Sequence, residues 1–387
     1  MTVAEATPTI DFSLTEDQEL LRETVRRFAE ERIAPGEAER DREHRFPEEV
    51  VAELAELGLL GMLVPEEHGG AGLDPLTYAL AIEELSRISA AVGVTVSVTN
   101  SVCCWPIARF GSDELKARAL PELAAGALGG FALTEPGAGS DAGSLTTRAV
   151  RDGDDWVLDG EKAWITNAGL ARWYVAMART DPKAGKRGIS AFVVPGDAPG
   201  LAVGAEEEKV GLRSSRTAAL VFDGCRVPAA NLLGEEGQGF KIALATLDHS
   251  RLGIAAQGLG IHQRALELAA AYARDRVQFG VPIARHQAVQ FQIAEIATSL
   301  AASRLLTYHA AASEATSDAG RLASQAKVFA SEAANRAVWQ SQQIHGGNGF
   351  SEEYEIARLY RDVRVTTIYE GTSEMQRLVI ARKLLGS

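Results

Sequence analysis

Between residues 129 and 235 this chain stops repeating like a helix and repeats like a sheet, and the helical period then resumes. On the near side, SLTEDQELLRETVRRFAEERI, from residue 13, sets Leu21, Val25 and Phe28 at i, i+4 and i+7, one face of a helix. Two capping boxes are open to it, Ser13 with Glu16 or Thr15 with Gln18. FPEEVVAELAELG predicts a helix begun at Pro47 and ended at Gly58, and SDELKARALPELAAG predicts another from Ser112. Inside the break, TTRAVRDGDDWVLDGEKAWITN folds two strand-like runs about a DGDD turn. RWYVAMART, GISAFVVP and TAALVFDGCRVP add strands punctuated by Gly, Pro and Asp. Beyond GEEGQGF long helices return, and Val289, Ile293, Ile296 and Leu300 keep one face apolar over about seven turns. This order predicts an α+β fold, mainly α. An N-terminal helical domain covers 11–128, a small antiparallel β sandwich or barrel 129–235, and a C-terminal four-helix bundle 236–387.

With 39 Lys and Arg against 52 Asp and Glu, the formal net charge of -13 leaves no basic surplus to neutralise phosphates, so no nucleic-acid partner is expected. No unbroken apolar run reaches the roughly 18 residues of a spanning helix, so no membrane insertion is expected. MTVAEATPTIDF lacks the basic start and apolar stretch of a signal peptide, and holds no Arg for a transit sequence. Cys103 and Cys104 are adjacent, and the third cysteine stands apart, so neither a disulfide framework nor a metal pair forms. The expectation is a reduced, cytoplasmic protein without a metal site.

Five short stretches hold the residues suited to chemistry. ALTEPGAGSDAGS, residues 132–144, sets Gly137, Gly139 and Ala142 at G-x-G-x-x-A spacing. The strand-like LTTRAV that follows offers no helix N-terminus to a pyrophosphate, so a dinucleotide fingerprint is rejected. What remains is a plain glycine loop, or a loop whose backbone approaches a planar polar ligand closely. KAWITN puts Trp164 in a short strand, where tryptophan is more often core than cofactor wall. RDRVQFG either closes a helix, with Arg276 in its last turn and Gly280 as the C′ residue, or offers Arg276 and Phe279 to a ligand. In QIHGGNGF the lone His345 reads as structural. Lastly, RVTTIYEGTSEMQR sets one carboxylate, Glu370, between the apolar pair Ile368 and Tyr369 and the small residues Gly371, Thr372 and Ser373. Taken alone, Glu370 is a solvated residue in a helix-entry loop capped by Thr372 or Ser373. Each bland reading is reasonable alone; the joint occurrence of five is not.

LTEPGAGSD with Gly143 behind it, WIT, RVQFG, QIHGGNGF continuing to Asp362, and IYEGTSE resemble the signatures of the acyl-CoA dehydrogenase family in order and spacing, from about residue 11 to the end. GISAFVVP, LGIAAQGLG and IYEGTSEMQRLVIA are most similar to its short-chain and short-branched-chain members. The resemblance implies an FAD-dependent α,β-dehydrogenation of short-chain acyl-CoA thioesters, straight or branched, to the trans-2-enoyl-CoA. A base removes the pro-R α-proton, the β-hydrogen leaves as hydride to the flavin, and electrons pass on to electron-transferring flavoprotein.

Glu370 matches the family's base. Some relatives carry that base on a helix instead, at the position of Ser250, and no Glu lies between Asp248 and Arg251. A dry pocket would raise its pKa toward neutrality, as a weak C–H acid demands. By the same resemblance its own amide N–H meets the thioester oxygen, and Gly371 leaves room beside it. Phe131, Leu133, Thr134, Gly139 and Ser140, with Trp164, Ile165 and Thr166, are expected to line the flavin, Thr134 and Thr166 by hydrogen bonds. Thr372, Ser373 and Glu374 are expected at the pyrophosphate. Arg276, Phe279, Gln287, Gln343, Ile344, Gly346 and Gly347 resemble residues that reach the ADP half of FAD on a neighbouring subunit. That implies a homotetramer, a dimer of dimers, with shared cofactor sites. Ser140, Asp248, Arg251 and Gly371 are expected to contact the acyl-CoA. An acyl-CoA oxidase using O₂, which is usually a longer chain, is the nearest alternative. A nitroalkane oxidase-like enzyme would carry Asp at position 370. A non-catalytic flavoprotein relative would lack the base and show a basic surface.

Overall fold

Thr15, not Ser13, caps the first helix: its hydroxyl accepts from the Gln18 amide, and the Gln18 side chain accepts from the Thr15 N–H. The computed structural model describes residues 13–386. Residues 1–12, which carry the leader-peptide expectation, and residue 387 lie outside them. Seven helices come first: α1 (Glu16–Phe28), α2 (Ala34–Glu43), α3 (Glu48–Glu56), α4 (Pro75–Ile88), α5 (Ala90–Val98), α6 (Trp105–Phe110) and α7 (Asp113–Ala124). Val25 is buried and Leu21 and Phe28 pack beside it, on the face their spacing predicted. Ser112 caps α7 by accepting from the Leu115 amide, also as expected.

The membrane expectation needs one correction. A π-helical segment, Thr99–Cys104, joins α5 to α6, and the resulting run Ala90–Phe110 is long and apolar enough to span a bilayer. Interspersed Thr, Ser and Asn hide it from a search for unbroken apolar residues. The hydroxyls of Thr95, Thr99 and Ser101 donate to carbonyls one turn back, so these side chains are fit for burial. Within the fold, 94% of its apolar window is buried, as in a core helix.

Eight strands follow: β1 (Gly129–Ala132), β2 (Arg148–Asp152), β3 (Asp155–Thr166), β4 (Trp173–Arg179), β5 (Ile189–Pro195), β6 (Leu201–Glu206), β7 (Thr217–Pro228) and β8 (Leu232–Leu233). They form one sheet in the order β6-β7-β3-β2-β4-β5-β8, with β1 beside β4. β2 and β3 pair antiparallel across the DGDD turn, as predicted. The sheet is not wholly antiparallel, however: β1 runs parallel to β4, and β2 meets β4 parallel at Arg148 and Arg179. Strand direction is a matter of long-range pairing, which local patterning does not encode. The β3–β7 register slips between Lys162 and Ile165, a bulge that re-aims the intervening side chains.

The chain then returns to helix. α8 (Gly239–Asp275) is 37 residues long and packs against α4, α5 and α10 (Ala319–His345). Between α8 and α9 (Gln287–Ala312) lies a hairpin of β9 (Val277–Gln278) and β10 (Val281–Pro282), and α11 (Glu355–Val363) and α12 (Ser373–Leu385) end the fold. In α9, Ile296 and Leu300 are buried while Val289 and Ile293 pack at the edge of the same cluster. Gly280 does not close α8. Arg276 caps that helix, and Phe279 (φ 55°) with Gly280 (φ 82°) makes the two-residue turn of the hairpin.

Candidate active site

Glu370 lies in the short turn between a 3₁₀ segment, Arg364–Thr367, and α12. Thr372 is the α12 cap, accepting from the Met375 amide at 3.3 Å. Ahead of it Glu370 (φ 51°) and Gly371 (φ 87°) are both left-handed. For a residue with a side chain that conformation costs about 1–3 kcal/mol and persists only where the surroundings impose it. Here they do. Gln376 Nε2 donates to the Glu370 carbonyl at 3.0 Å and to the Gly371 carbonyl at 2.9 Å, and Lys327 Nζ donates to the Gly371 carbonyl at 2.7 Å. Tyr369 donates its hydroxyl to Gln257 of α8, whose amide donates to the Ala90 carbonyl at 2.8 Å.

The carboxylate is therefore not a solvated loop residue. Ser250 Oγ, on α8, donates to Glu370 Oε2 at 2.5 Å. Burial pushes the Glu370 pKa up, and the Ser250 bond and the nearby Lys327 and Arg251 charges only partly offset it. Among the described residues no acceptor takes the Glu370 amide N–H. The space beside Gly371 is not open, contrary to expectation: a Cβ there would come within 2.6 Å of Gln376 Nε2. Its glycine answers to the φ angle and the amide clamp.

Of the expected substrate residues, Arg251 and Gly371 lie beside this carboxylate, and Asp248 is tied to it only through Arg251. Arg251 is buried on α8; its guanidinium donates to Asp248 and, at 3.1 Å, to Ser324 Oγ. Asp248 also lines a cavity of about 200 Å³ with Trp105, His249, Glu314 and Gly320. Ser140 is exposed on its glycine loop, with no contact to the group.

That loop is pinned from inside the sheet. The buried Glu135 carboxylate accepts from the Thr146 amide at 2.6 Å, the Thr147 amide at 2.9 Å and Lys162 Nζ at 2.7 Å. Burial opposes the Glu135 charge, but the Lys162 ammonium and these bonds outweigh it and hold the carboxyl at about 2. Burial also pushes Lys162 down to about 8, against the pull of Glu135. The Ala163 amide donates to the Thr134 carbonyl at 2.9 Å, joining loop to strand. Trp164, at the bulge, has φ 62° and is 59% exposed, so of the two readings open to it the core one fails.

These residues fit a flavin. An indole is presented outward, the Cβ positions of Gly137 and Gly139 face open space, and the half-buried Thr134 and Thr166 hydroxyls have no partner among the described residues. Such a surface suits a planar ring with a hydrogen-bonding edge. Phe131 packs on the same apolar cluster as Tyr369, which brings the sheet edge to the Glu370 turn. Leu133 and Ile165 differ from expectation: both side chains are core, leaving only backbone for a ligand. Ser373 is buried with its hydroxyl unpaired, Glu374 is exposed, and Thr372 spends its hydroxyl on the cap.

The remaining cofactor candidates form a separate group. Arg276, Gln287, Gln343, Gly346 and Gly347 are exposed, and Phe279 stands 94% exposed at the hairpin tip. Ile344 is buried in the helical core. Among the described residues no hydrogen bond or ion pair joins this group to Trp164 or Glu370. His345 is structural, as expected, stacked on Tyr272 at 4.3 Å with Nδ1 2.7 Å from the Ser341 carbonyl. Lys327 lies in none of the five stretches, its signal being only a lysine within a helix of small residues, SQAKVFASEAAN; Glu135, Lys162 and Gln376 stand inside them with no role assigned.

Three family models match the chain in succession: acyl-CoA dehydrogenase N-terminal domain over 15–127, middle domain over 130–225 and C-terminal domain over 237–385. It is 50% identical to an acyl-CoA dehydrogenase of Bacillus subtilis over 96% of this chain and 99% of that one. It is also 50% identical to the mitochondrial short-chain specific acyl-CoA dehydrogenase of Bos taurus, over 97% and 91%. Butyryl-CoA dehydrogenase from Megasphaera elsdenii superposes with a TM-score of 0.95 at 42% identity, covering 97% of this chain and 100% of that one. A glutaryl-CoA dehydrogenase from Mycobacterium smegmatis, solved with FADH2, gives 0.90 at 35%, covering 97% and 96%. The chain belongs to the acyl-CoA dehydrogenase family, FAD-dependent oxidoreductases that dehydrogenate acyl-CoA thioesters.

Proposed function

We propose that this protein oxidises short-chain acyl-CoA thioesters to trans-2-enoyl-CoA, with Glu370 as the base that takes the α-proton. The observation that carries this reading is the Glu370 turn: a carboxylate held at positive φ, shielded enough for burial to raise its pKa, and bonded to Ser250. A raised pKa is what a carboxylate needs to accept a proton from carbon near neutral pH. FAD, when bound, supplies the hydride acceptor for the β-hydrogen. Phe131, Thr134, Gly139, Ser140, Trp164 and Thr166, with backbone of Leu133 and Ile165, would hold its ring. Thr372, Ser373 and Glu374 would meet its pyrophosphate. The Glu370 amide N–H is free to bind the thioester oxygen, and Asp248 and Arg251 to orient the CoA arm.

The short acyl chain is supported by the short-chain relative and by the butyryl-CoA dehydrogenase likeness. Short branched chains stand beside straight ones. Electron-transferring flavoprotein is the acceptor we assign, in the cytoplasm. Arg276, Phe279, Gln287, Gln343, Gly346 and Gly347, exposed and apart from Glu370, support a homotetramer, a dimer of dimers, in which they complete a neighbour's FAD site with the buried Ile344 beneath them. Anaerobic addition of acyl-CoA thioesters from C4 to C16, with isobutyryl- and 2-methylbutyryl-CoA, tests the assignment by bleaching of the flavin band. Fastest bleaching with C4 or the branched pair is expected. No bleaching by any of them would overturn the activity, and peroxide release in air at the turnover rate would make the enzyme an oxidase.

A further inference from the structure

Lys327 stands on α10 with its side chain fully buried, and among the described residues its ammonium makes one hydrogen bond, the 2.7 Å donation to the Gly371 carbonyl. That carbonyl already receives the neutral Gln376 amide at 2.9 Å. An amide is thus enough to hold the backbone, whereas burying an ammonium costs several kcal/mol per ion. What a lysine adds is charge. Four charged groups surround its ammonium: Glu370, Arg251, Glu332 and Glu374. Glu332 is bonded to Arg377 at 2.6 Å, and Glu374 is exposed. Around Glu370 itself stand Ser250, Lys327 and Arg251, with the Tyr78 and Tyr369 hydroxyls on adjoining elements. Arg251 gives its charge to Asp248. Among the described residues no carboxylate is bonded to Lys327, so it is the cation left to answer Glu370.

We propose that Lys327 is the positioning residue of the base: its ammonium braces the 370–371 turn and supplies the positive charge that keeps the Glu370 carboxylate ionised and ready to take a proton. Burial alone pushes a carboxyl toward its neutral form, whose oxygens are too weakly basic to take the α-proton. The cation opposes that without touching the substrate. The inference rests on Glu370 being the base and adds how that base is kept in its working state.

The test uses the FAD-loaded enzyme with butyryl-CoA. K327Q keeps a donor for the Gly371 carbonyl and removes the charge; K327R keeps the charge. In K327Q the acid limb of the kcat/KM profile should move up by about 1 unit, lowering kcat/KM at pH 6 about tenfold while high-pH values stay close to wild type. K327R should return the limb toward its original place. A readout free of turnover is the infrared carboxyl titration, taken as the difference between enzymes with Glu370 and with E370Q; the same upward shift should appear in K327Q. A uniform fall in kcat/KM with the limb and the titration unmoved overturns the proposal, because a merely structural lysine would behave so. Should K327Q not fold, K327M asks the same question with a side chain of similar volume. The outcomes separate cleanly: an active E370Q sinks the base assignment itself, whereas an inactive E370Q with an unmoved Lys327 profile sinks only the role of the lysine.

Discussion

Ser250 and Glu370, 120 residues apart in the chain, are joined by a 2.5 Å hydrogen bond from the serine hydroxyl to the glutamate carboxylate. Ser250 occupies the position where some relatives were expected to carry the base on a helix, and here it supports a base supplied from elsewhere. A bond to the charged form favours that form. S250A should therefore shift the acid limb of the kcat/KM profile upward, with a loss of about tenfold at pH 6 and little at pH 8. A pH series with butyryl-CoA checks this, and an unshifted limb would contradict it.

E370Q removes the proton acceptor and keeps the size of the side chain. Turnover should fall on the order of 10³-fold. Flavin content and thioester binding should stay near wild type, read by absorbance and by calorimetric titration with a CoA thioester. Near-normal turnover would refute the base.

The Glu135–Lys162 pair is buried on both sides, and loss of one partner leaves an uncompensated charge. K162M should cost about 3–5 kcal/mol in urea denaturation and lower FAD occupancy, because Glu135 ties the glycine loop to β3. Unchanged stability with full occupancy would show that the pair does not organise the loop.

His262, fully buried on α8 with Nε2 3.0 Å from the Ile296 carbonyl, has its pKa pushed down to about 4, chiefly by burial. The unfolded chain takes up that proton near the ordinary value of 6.5 and the folded chain does not. Stability from this group is complete above that value and falls as pH drops from there to about 4. H262Q should flatten this part of the profile, narrowing the difference in Tm between pH 7 and pH 5 by about 2–4 °C. An unchanged difference would exclude His262 as a source of acid sensitivity.

The helical face of α1, the Thr15 and Ser112 caps and the β2–β3 hairpin were legible from contiguous residues, because periodicity and caps act within a turn or two. Five signature stretches marked the candidate site, Glu370 among them. For Trp164 the strand pattern alone favours a core position, and only the bulge in the β3–β7 register, set by the partner strand, turns it outward. Gly280 as a helix-closing residue, one of two readings of RDRVQFG, failed because a six-residue hairpin outcompetes a helix terminus only once both its short strands pair. Lys327 and Gln376 were invisible, since nothing local separates them from ordinary helix-surface residues. The sequence by itself determined the order of helical, β and helical regions and which acid stands before α12. Only the tertiary structure decided that α8, α10 and α12 bring a hydroxyl, an ammonium and an amide to that one turn. Burial, and with it the proton affinity of a carboxylate, is a property of the groups packed around it and not of its neighbours in the chain.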